Sequence, residues 1–325
     1  MTAYVLQRLL QSVFVLLAVS VVVFFAVYGI GDPIELLVSP QVSAAERTAL
    51  IQRLGLDLPV WQQYFVFMGN ALKGDLGRSF VHGVPAIELI LARLPATFEL
   101  VLLAMTIAVA LGVPLGMMAG LDPESRPARI IMAGTVLGYS LPNFWKGMML
   151  ILLFAVVLGW VPTAGRGETV SFFGVQTSLF TLDGLHHLIL PALNLAIPNM
   201  ALMVSLVAAG TAETMTQDYV KYARAKGVRR SRIVGRHVLR NILIPVVTVV
   251  GVEFGSLVAF STITETVFAW PGMGKLLIES IYQLDRPVVV AYILLATLLF
   301  VAVNFLVDIL YAALDPRVKL AGEMA

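Results

Sequence analysis

The residues best equipped for chemistry form one basic segment between two apolar runs. From Thr211 to Asn241 lie eight basic residues, Lys221, Arg224, Lys226, Arg229, Arg230, Arg232, Arg236 and Arg240, opposed only by Glu213 and Asp218. The apolar run 188–210 precedes this segment and the run 242–263 follows it. Short loops this basic stay in the cytoplasm, so the segment orients the chain. Its charge alone describes a topological anchor; the residue order says more. Tyr219 to Lys226 predicts two helical turns, with Tyr219, Tyr222, Ala223 and Lys226 on one face by three- and four-residue spacing. Ala223 and Ala225 are small, and Gly227 ends the helix as a C-terminal cap does. Asp218 to Gly227, with Arg224 among them, thus describes a short exposed helix with a small, partly aromatic face. Such a face suits docking in a groove on another protein.

A second set of polar residues lies inside apolar runs. Lys146 and Glu253 fall within predicted spans, and Asp308 lies near the end of one. A charge at a helix centre costs roughly 2.5–3.5 kcal/mol on insertion scales, so such groups face a polar interior or a partner. Lys146 and Glu253 therefore either snorkel, pair with each other, or border a path through the membrane. Ser256, Ser261, Thr262 and Thr264 could give that path a wet wall.

Other chemistries find no residues to carry them. A phosphate-cradling loop needs G-x-x-x-x-G-K-[ST]; Gly274-Lys275 lacks the first glycine and is followed by Leu276. Any ATP must be handled by a partner. His186 and His187 are adjacent, which is not helical ligand spacing, and no carboxylate cluster joins them, so an interfacial pair is expected rather than a metal site. The chain has no cysteine, which excludes disulfides and thiolate-held metals. Basic and aromatic residues do not interleave as in a nucleic-acid surface. The run Trp270 to Gly274 reads as a loop, with Trp270 placed at the membrane interface.

The elements that must hold these residues are membrane helices. The chain is 59% hydrophobic and only 13% charged, against roughly 25% charged in soluble domains. Six apolar spans are expected at 9–30, 98–120, 130–160, 188–210, 242–264 and 288–312, each long enough for a ~30 Å hydrocarbon core. The first is too long for the roughly 7–15-residue core of a signal peptide and reads as a retained span. Glycines and prolines inside the spans, Gly112, Gly116, Gly138 and Pro142 among them, allow close packing and kinks. Basic residues collect on the side of Arg8, Arg126, Arg129, the segment 211–241, Arg317 and Lys319, so both termini are expected in the cytoplasm. The stretch 32–97 predicts a small outer helical domain; Ser43 and Glu46 make a capping box opening a helix that Gly55 closes. The expected organisation is a first span at 1–31, the outer domain at 32–97, a core at 98–312 and a cytoplasmic tail at 313–325. The fold class is all-α, polytopic, with six transmembrane helices.

The basic segment resembles the cytoplasmic coupling loop of bacterial ABC importer permeases of the dipeptide, oligopeptide and nickel branch. Asp218 to Gly227 and His237 to Thr248 follow that branch closely, although Pro245 comes later than the general importer pattern places it. Further runs resemble the same family: Gly55 to Tyr64, Gly74 to Phe80, Arg93 to Leu100, Leu141 to Gly147, His187 to Leu193, Thr264 to Leu277, Asp285 to Val289 and Asn304 to Val318. Lys146 departs from the family's usual apolar residue. The resemblance implies the permease subunit of an ATP-driven importer of peptides in the bacterial inner membrane. Its implied partners are a second homologous permease, two ATP-binding subunits that hold the ATP and magnesium, and an extracytoplasmic solute-binding protein. The chain itself would need no cofactor and catalyse no chemical step. A secondary transporter or channel working without an ATPase is the alternative, with Lys146 and Glu253 as its only candidate relay.

Overall fold

In hydrocarbon a chain must satisfy its own backbone, and an apolar run can do so as a helix. The computed structural model describes residues 2–28, 44–53 and 57–314. In chain order its helices are α1 (Thr2–Tyr28), α2 (Ala44–Arg53), α3 (Val60–Ala71), α4 (Ala86–Leu121), α5 (Arg126–Ser140) and α6 (Asn143–Leu150). After a two-stranded hairpin come α7 (Leu182–Thr216), α8 (Asp218–Ala225), α9 (Arg230–Ile233), α10 (Leu239–Phe260), α11 (Thr262–Val267), α12 (Met273–Tyr282) and α13 (Arg286–Leu314). π-helical stretches continue α6 through Ile151–Val157 and join α9 to α10 through Val234–Val238.

Five continuous stretches among these residues are long and apolar enough to cross a bilayer: Gln7–Tyr28, Ala86–Leu121, Leu182–Thr216, Arg230–Phe260 and Arg286–Ile309. The expected third span is not one straight helix. It is the pair α5 and α6, bent by 108°. Pro142 is the cause: it has no N–H to give the carbonyl four residues back and forces the residue before it out of the α region. Leu141 accordingly sits at φ −82°, ψ 135°. Ser43 and Gly55, the expected ends of α2, lie outside the described residues, as do Arg317 and Lys319.

The described residues form two compact units, those within 1–97 with 271–301 and those within 98–270 with 302–314. In the first, α1 meets α3 through aromatic side chains. Phe24 is fully buried, stacked on Tyr28 with ring centres 4.0 Å apart and edge-on to Tyr64 at 5.4 Å. Ser20 and Tyr64 share a 3.0 Å hydroxyl hydrogen bond. The Asp285 carboxylate accepts from the Ser79 hydroxyl and, at 2.9 Å, from the Phe80 N–H.

In the second unit α7 is the common neighbour, packed against α5, α6, α10 and α11. It also meets α4 along Gly112, Gly116 and Gly120, one per turn. A Cβ on Gly112 would stand 2.7 Å from Met203 Cβ, and one on Gly120 would stand 2.3 Å from the Ala208 carbonyl oxygen. These glycines let the two backbones approach as small residues do in membrane helices. Met203, Val207, Ile242 and Val246 form the adjoining core between α7 and α10.

Two features differ from expectation. The hairpin, β1 (Val170–Phe172) and β2 (Val175–Thr177), pairs antiparallel around Phe173-Gly174. Phe173 (φ 48°) and Gly174 (φ 80°) are both left-handed, as the tightest hairpin turn requires. Trp270 does not sit exposed at an interface but is completely buried, and its backbone N–H donates to the Glu265 carbonyl at 2.8 Å.

Candidate functional site

The basic segment folds into the short helix that the spacing predicts. α8 covers Asp218–Ala225 and ends at Gly227, whose φ is +76°. The Gly227 N–H donates to the Arg224 carbonyl at 2.9 Å and the Val228 N–H to the Ala223 carbonyl at 3.1 Å. These two bonds are the Schellman closure, which needs a left-handed residue at the glycine position. At the other end Lys221 Nζ reaches Asp218 Oδ1 at 2.9 Å. That hydrogen bond and the ammonium charge hold the Asp218 carboxyl below the ordinary carboxylate range. Asp218 also lies in the first turn, where negative charge suits the helix dipole.

The helix has an inner and an outer face, divided differently from the sequence expectation. Val220 and Ala223 point inward and pack on Ile233, with Met215 and Val228 beside them. Ala223 is thus part of the seat of the helix. Tyr219, Lys221, Tyr222, Arg224, Ala225 and Lys226 are exposed. Lys226 Nζ stands 4.5 Å from the centre of the Tyr222 ring, a cation–π contact that joins the two outer side chains. Tyr219 is tied down by α10, since Asn241 Nδ2 donates to its hydroxyl, and the His237 ring lies 6.0 Å from its own. Arg224 reaches back to Met215 Sδ at 3.7 Å, and Arg230 donates to the Leu121 carbonyl at the end of α4 at 3.4 Å. The helix is therefore held to the ends of α7 and α10, and α9 beyond it to the end of α4, while it presents an aromatic and cationic face.

The polar residues inside the spans are not brought together as one group. Lys146 is 5% exposed, and its Nζ donates to the Gly138 carbonyl at 3.0 Å. Gly138 is four residues before Pro142, so its carbonyl is the one that proline deprives of a donor. The lysine thus fills the gap with a charge-assisted bond at the C-terminal end of α5, where a cation is favoured. Glu253 is half-buried on α10, and no ion pair joins it to Lys146 among the described residues. Ser256 is also half-buried on α10. Ser261 is fully buried and donates to Glu265 Oε1 at 2.8 Å, while the Thr262 carbonyl accepts from the Thr266 hydroxyl at 2.8 Å. Thr264 is buried and accepts from Asn194 Nδ2 at 2.9 Å. Thr264 thus joins α11 to α7, and Ser261 closes the first turn of α11.

Sequence reasoning missed a buried carboxylate. Glu99, 4% exposed near the start of the expected second span, accepts from Arg166 Nε at 2.6 Å. It also accepts from Thr177 Oγ1 at 2.9 Å, the Ser178 N–H at 2.9 Å and Ser178 Oγ at 2.8 Å. Arg166 in turn holds the Gln176 carbonyl at 2.6 Å. The cluster ties the hairpin loop to α4. The available signal was charge scarcity: Arg166 is the one basic residue between Trp160 and Thr216, so a carboxylate partner for it was to be sought at a span end.

Five spans, a bent pair that can make a sixth, and a short basic helix are the parts of a polytopic membrane protein. The inward-facing structure of the MetNI methionine ABC transporter matches it with a TM-score of 0.54, over 70% of this chain and 97% of that one, at 16% identity. That likeness is one of fold. Sequence gives the family: the chain belongs to the binding-protein-dependent transport system inner membrane components, whose family model matches residues 112–320. Residues 1–101 match the model of the N-terminal part of such membrane components. The chain is 38% identical to the oligopeptide transport system permease protein AppB of Bacillus subtilis (strain 168), covering 98% of this chain and all of that protein. It is 39% identical to the glutathione transport system permease protein GsiC of Escherichia coli (strain K12), covering 98% and 99%. It is thus a multi-pass inner-membrane permease subunit of a binding-protein-dependent ABC transporter, a kind of subunit without an ATPase domain. Membership implies ATPase and solute-binding partners.

Proposed function

We propose that this permease imports di- or oligopeptides, as one half of a permease pair with a homologous subunit. Two ATP-binding subunits, carrying ATP and magnesium, dock on the coupling helices of the pair, and a solute-binding protein delivers cargo from outside. The substrate class rests on the relatives, one an oligopeptide permease and one a glutathione permease; both cargoes carry peptide bonds. The observation that carries the coupling role is the two-faced α8. Its inner face is locked on Ile233 while Tyr219, Tyr222, Arg224 and Lys226 stand outward. A push on the outer face passes directly into the ends of α7 and α10, and so alternates access. Asp218 and Gly227 set the ends of the lever; Ala223 is its seat. The alternative without an ATPase finds little support in Lys146, whose ammonium is occupied by the Gly138 carbonyl.

On this reading 211–241 and both termini lie in the cytoplasm and 32–97 lies outside, which the concentration of basic residues in that segment supports. The test of coupling is co-purification of the ATPase subunits together with peptide uptake. Tyr222→Asp removes the ring and its contact with Lys226, puts a negative charge on the outer face, and leaves Val220 and Ala223 seated. If Tyr222 is an interface hot spot, ATPase binding falls about thirtyfold, with uptake lost and membrane insertion unchanged. Normal uptake by this variant would overturn the coupling role.

A further inference from the structure

Where α4, α7, α8 and α9 meet lies a pocket of about 450 Å³, lined by Leu121, Met215, Arg224, Val228, Arg230 and Ile233. Its size falls within the ~300–1,000 Å³ usual for ligand pockets. Both charged side chains in it are guanidinium groups, and no carboxylate lines it. Arg224 folds back from α8 toward Met215 Sδ at 3.7 Å, and Arg230 reaches the Leu121 carbonyl at 3.4 Å. Neither forms an ion pair among the described residues. A guanidinium has five N–H donors, so one long bond apiece leaves most of them to a ligand. Two such groups at one pocket call for an oxyanion, because their forked donors match phosphate and carboxylate oxygens.

Depth favours one source of oxyanion. Leu121 follows Gly120, the last residue of the apolar run in α4, and so marks the edge of the hydrocarbon. Met215 stands five residues beyond Gly210, where the apolar run of α7 ends, or about 7 Å along the helix. The headgroup layer on each side of a bilayer is about 5–8 Å thick. The pocket thus lies at the depth of lipid phosphates. Its lining is divided as a phospholipid is, with two guanidinium groups for the phosphate and Leu121, Met215 and Val228 for the apolar part beneath it. An ATPase subunit would instead meet what projects past this layer, the outer face of α8 with Tyr222 and Lys226.

We propose that this pocket binds the phosphate headgroup of an anionic phospholipid, which braces α8 and α9 against the ends of α4 and α7. Basic pockets between membrane helices hold anionic headgroups in this way, each Lys or Arg near the surface adding to the attraction. The site goes beyond the transport reading, since it needs only that α4 and α7 cross the membrane, whatever cargo the permease carries. The seating of α8 then depends on the anionic content of the bilayer.

The test uses the full transporter, with its ATPase subunits, in nanodiscs of phosphatidylcholine. Phosphatidylglycerol carrying a photoreactive group in its headgroup is added, and the labelled peptides are mapped. Label is expected within residues 213–233 of the unsubstituted protein, and unlabelled phosphatidylglycerol is expected to compete for it. Changing Arg230→Gln should lower the labelling about fivefold, and changing Arg224→Gln with it about thirtyfold. The pair Arg224→Lys and Arg230→Lys keeps the charges and should keep most of the label. Three results overturn the site. One is no label within 213–233 in the assembled transporter. The second is competition by inorganic phosphate as strong as by phosphatidylglycerol, which means a site for a free anion. The third is a double Gln variant that sheds its ATPase subunits yet keeps its label, which means that the two arginines contact the ATPase rather than lipid. If the double variant does not assemble, the map of label on the unsubstituted protein still decides.

Discussion

At the scale of single residues, the finding with most consequence is that Lys146 completes a backbone which Pro142 interrupts. A lysine in a span invites a search for an acidic partner, and Glu253 was the natural candidate. The Lys146 ammonium is instead bonded to the Gly138 carbonyl, a group visible from sequence only once the proline's missing N–H is counted. An unsatisfied buried acceptor costs about 1–3 kcal/mol, so Lys146→Met should lower stability by that amount. Pro142→Ala restores an N–H to the same carbonyl, so the double variant should recover much of the loss. Thermal melting of the four proteins in detergent checks this. Strict additivity of the two changes would mean that Lys146 acts through something other than Gly138.

At the scale of elements, α7 organises its unit, and the glycine stripe on α4 is what lets a long helix lie against it. Gly116 meets Val207 Cβ and the Val204 carbonyl, which would stand 2.7 and 2.8 Å from an added Cβ. Neither atom is the loose end of a flexible side chain. Gly116→Leu should therefore force the helices apart and cost upwards of about 1–3 kcal/mol, seen as a sharp loss of folded protein on size-exclusion chromatography. Gly134→Ala on α5, where nothing lies within 4 Å of the added atom, should be neutral. Equal behaviour of the two variants would discount close packing as the role of the stripe.

The short helix α8 shows the other face of element-scale reasoning. Spacing placed its two turns and its glycine stop correctly, because both are local properties. Which side turned inward depended on Ile233, which comes back from beyond the helix. Spacing grouped Ala223 with the two tyrosines for docking, but packing took it for the seat.

For the whole molecule, the bent pair decides the topology. If α5 and α6 together cross the membrane, the hairpin lies opposite Arg126 and Arg129, and the basic segment shares their side. If the pair dips in and returns, the hairpin shares a side with Arg126 and Arg129. The concentration of basic residues at Arg126, Arg129 and 211–241 favours a true crossing, since both loops then lie in the cytoplasm. Reporters fused at Lys73 and at Gly174 should read outside, and one at Arg230 inside. An inside signal at Gly174 would make the pair re-entrant and reverse every later span.

Much of this protein was determined by sequence alone. Apolar length gives spans because lipid leaves backbone groups no outside partner. The helix Asp218–Ala225 and its stop at Gly227 follow from local spacing and from glycine's tolerance of a left-handed backbone. Only the tertiary structure decided what non-local contacts decide. It bent the third span at Pro142 and gave Lys146 to a carbonyl rather than to Glu253. It buried Trp270 and joined Glu99 to Arg166 across 67 residues of chain. The physical reason is common to all of these: a buried polar or bulky group takes the partner that the fold brings within about 3 Å, and no spacing along the chain names that partner.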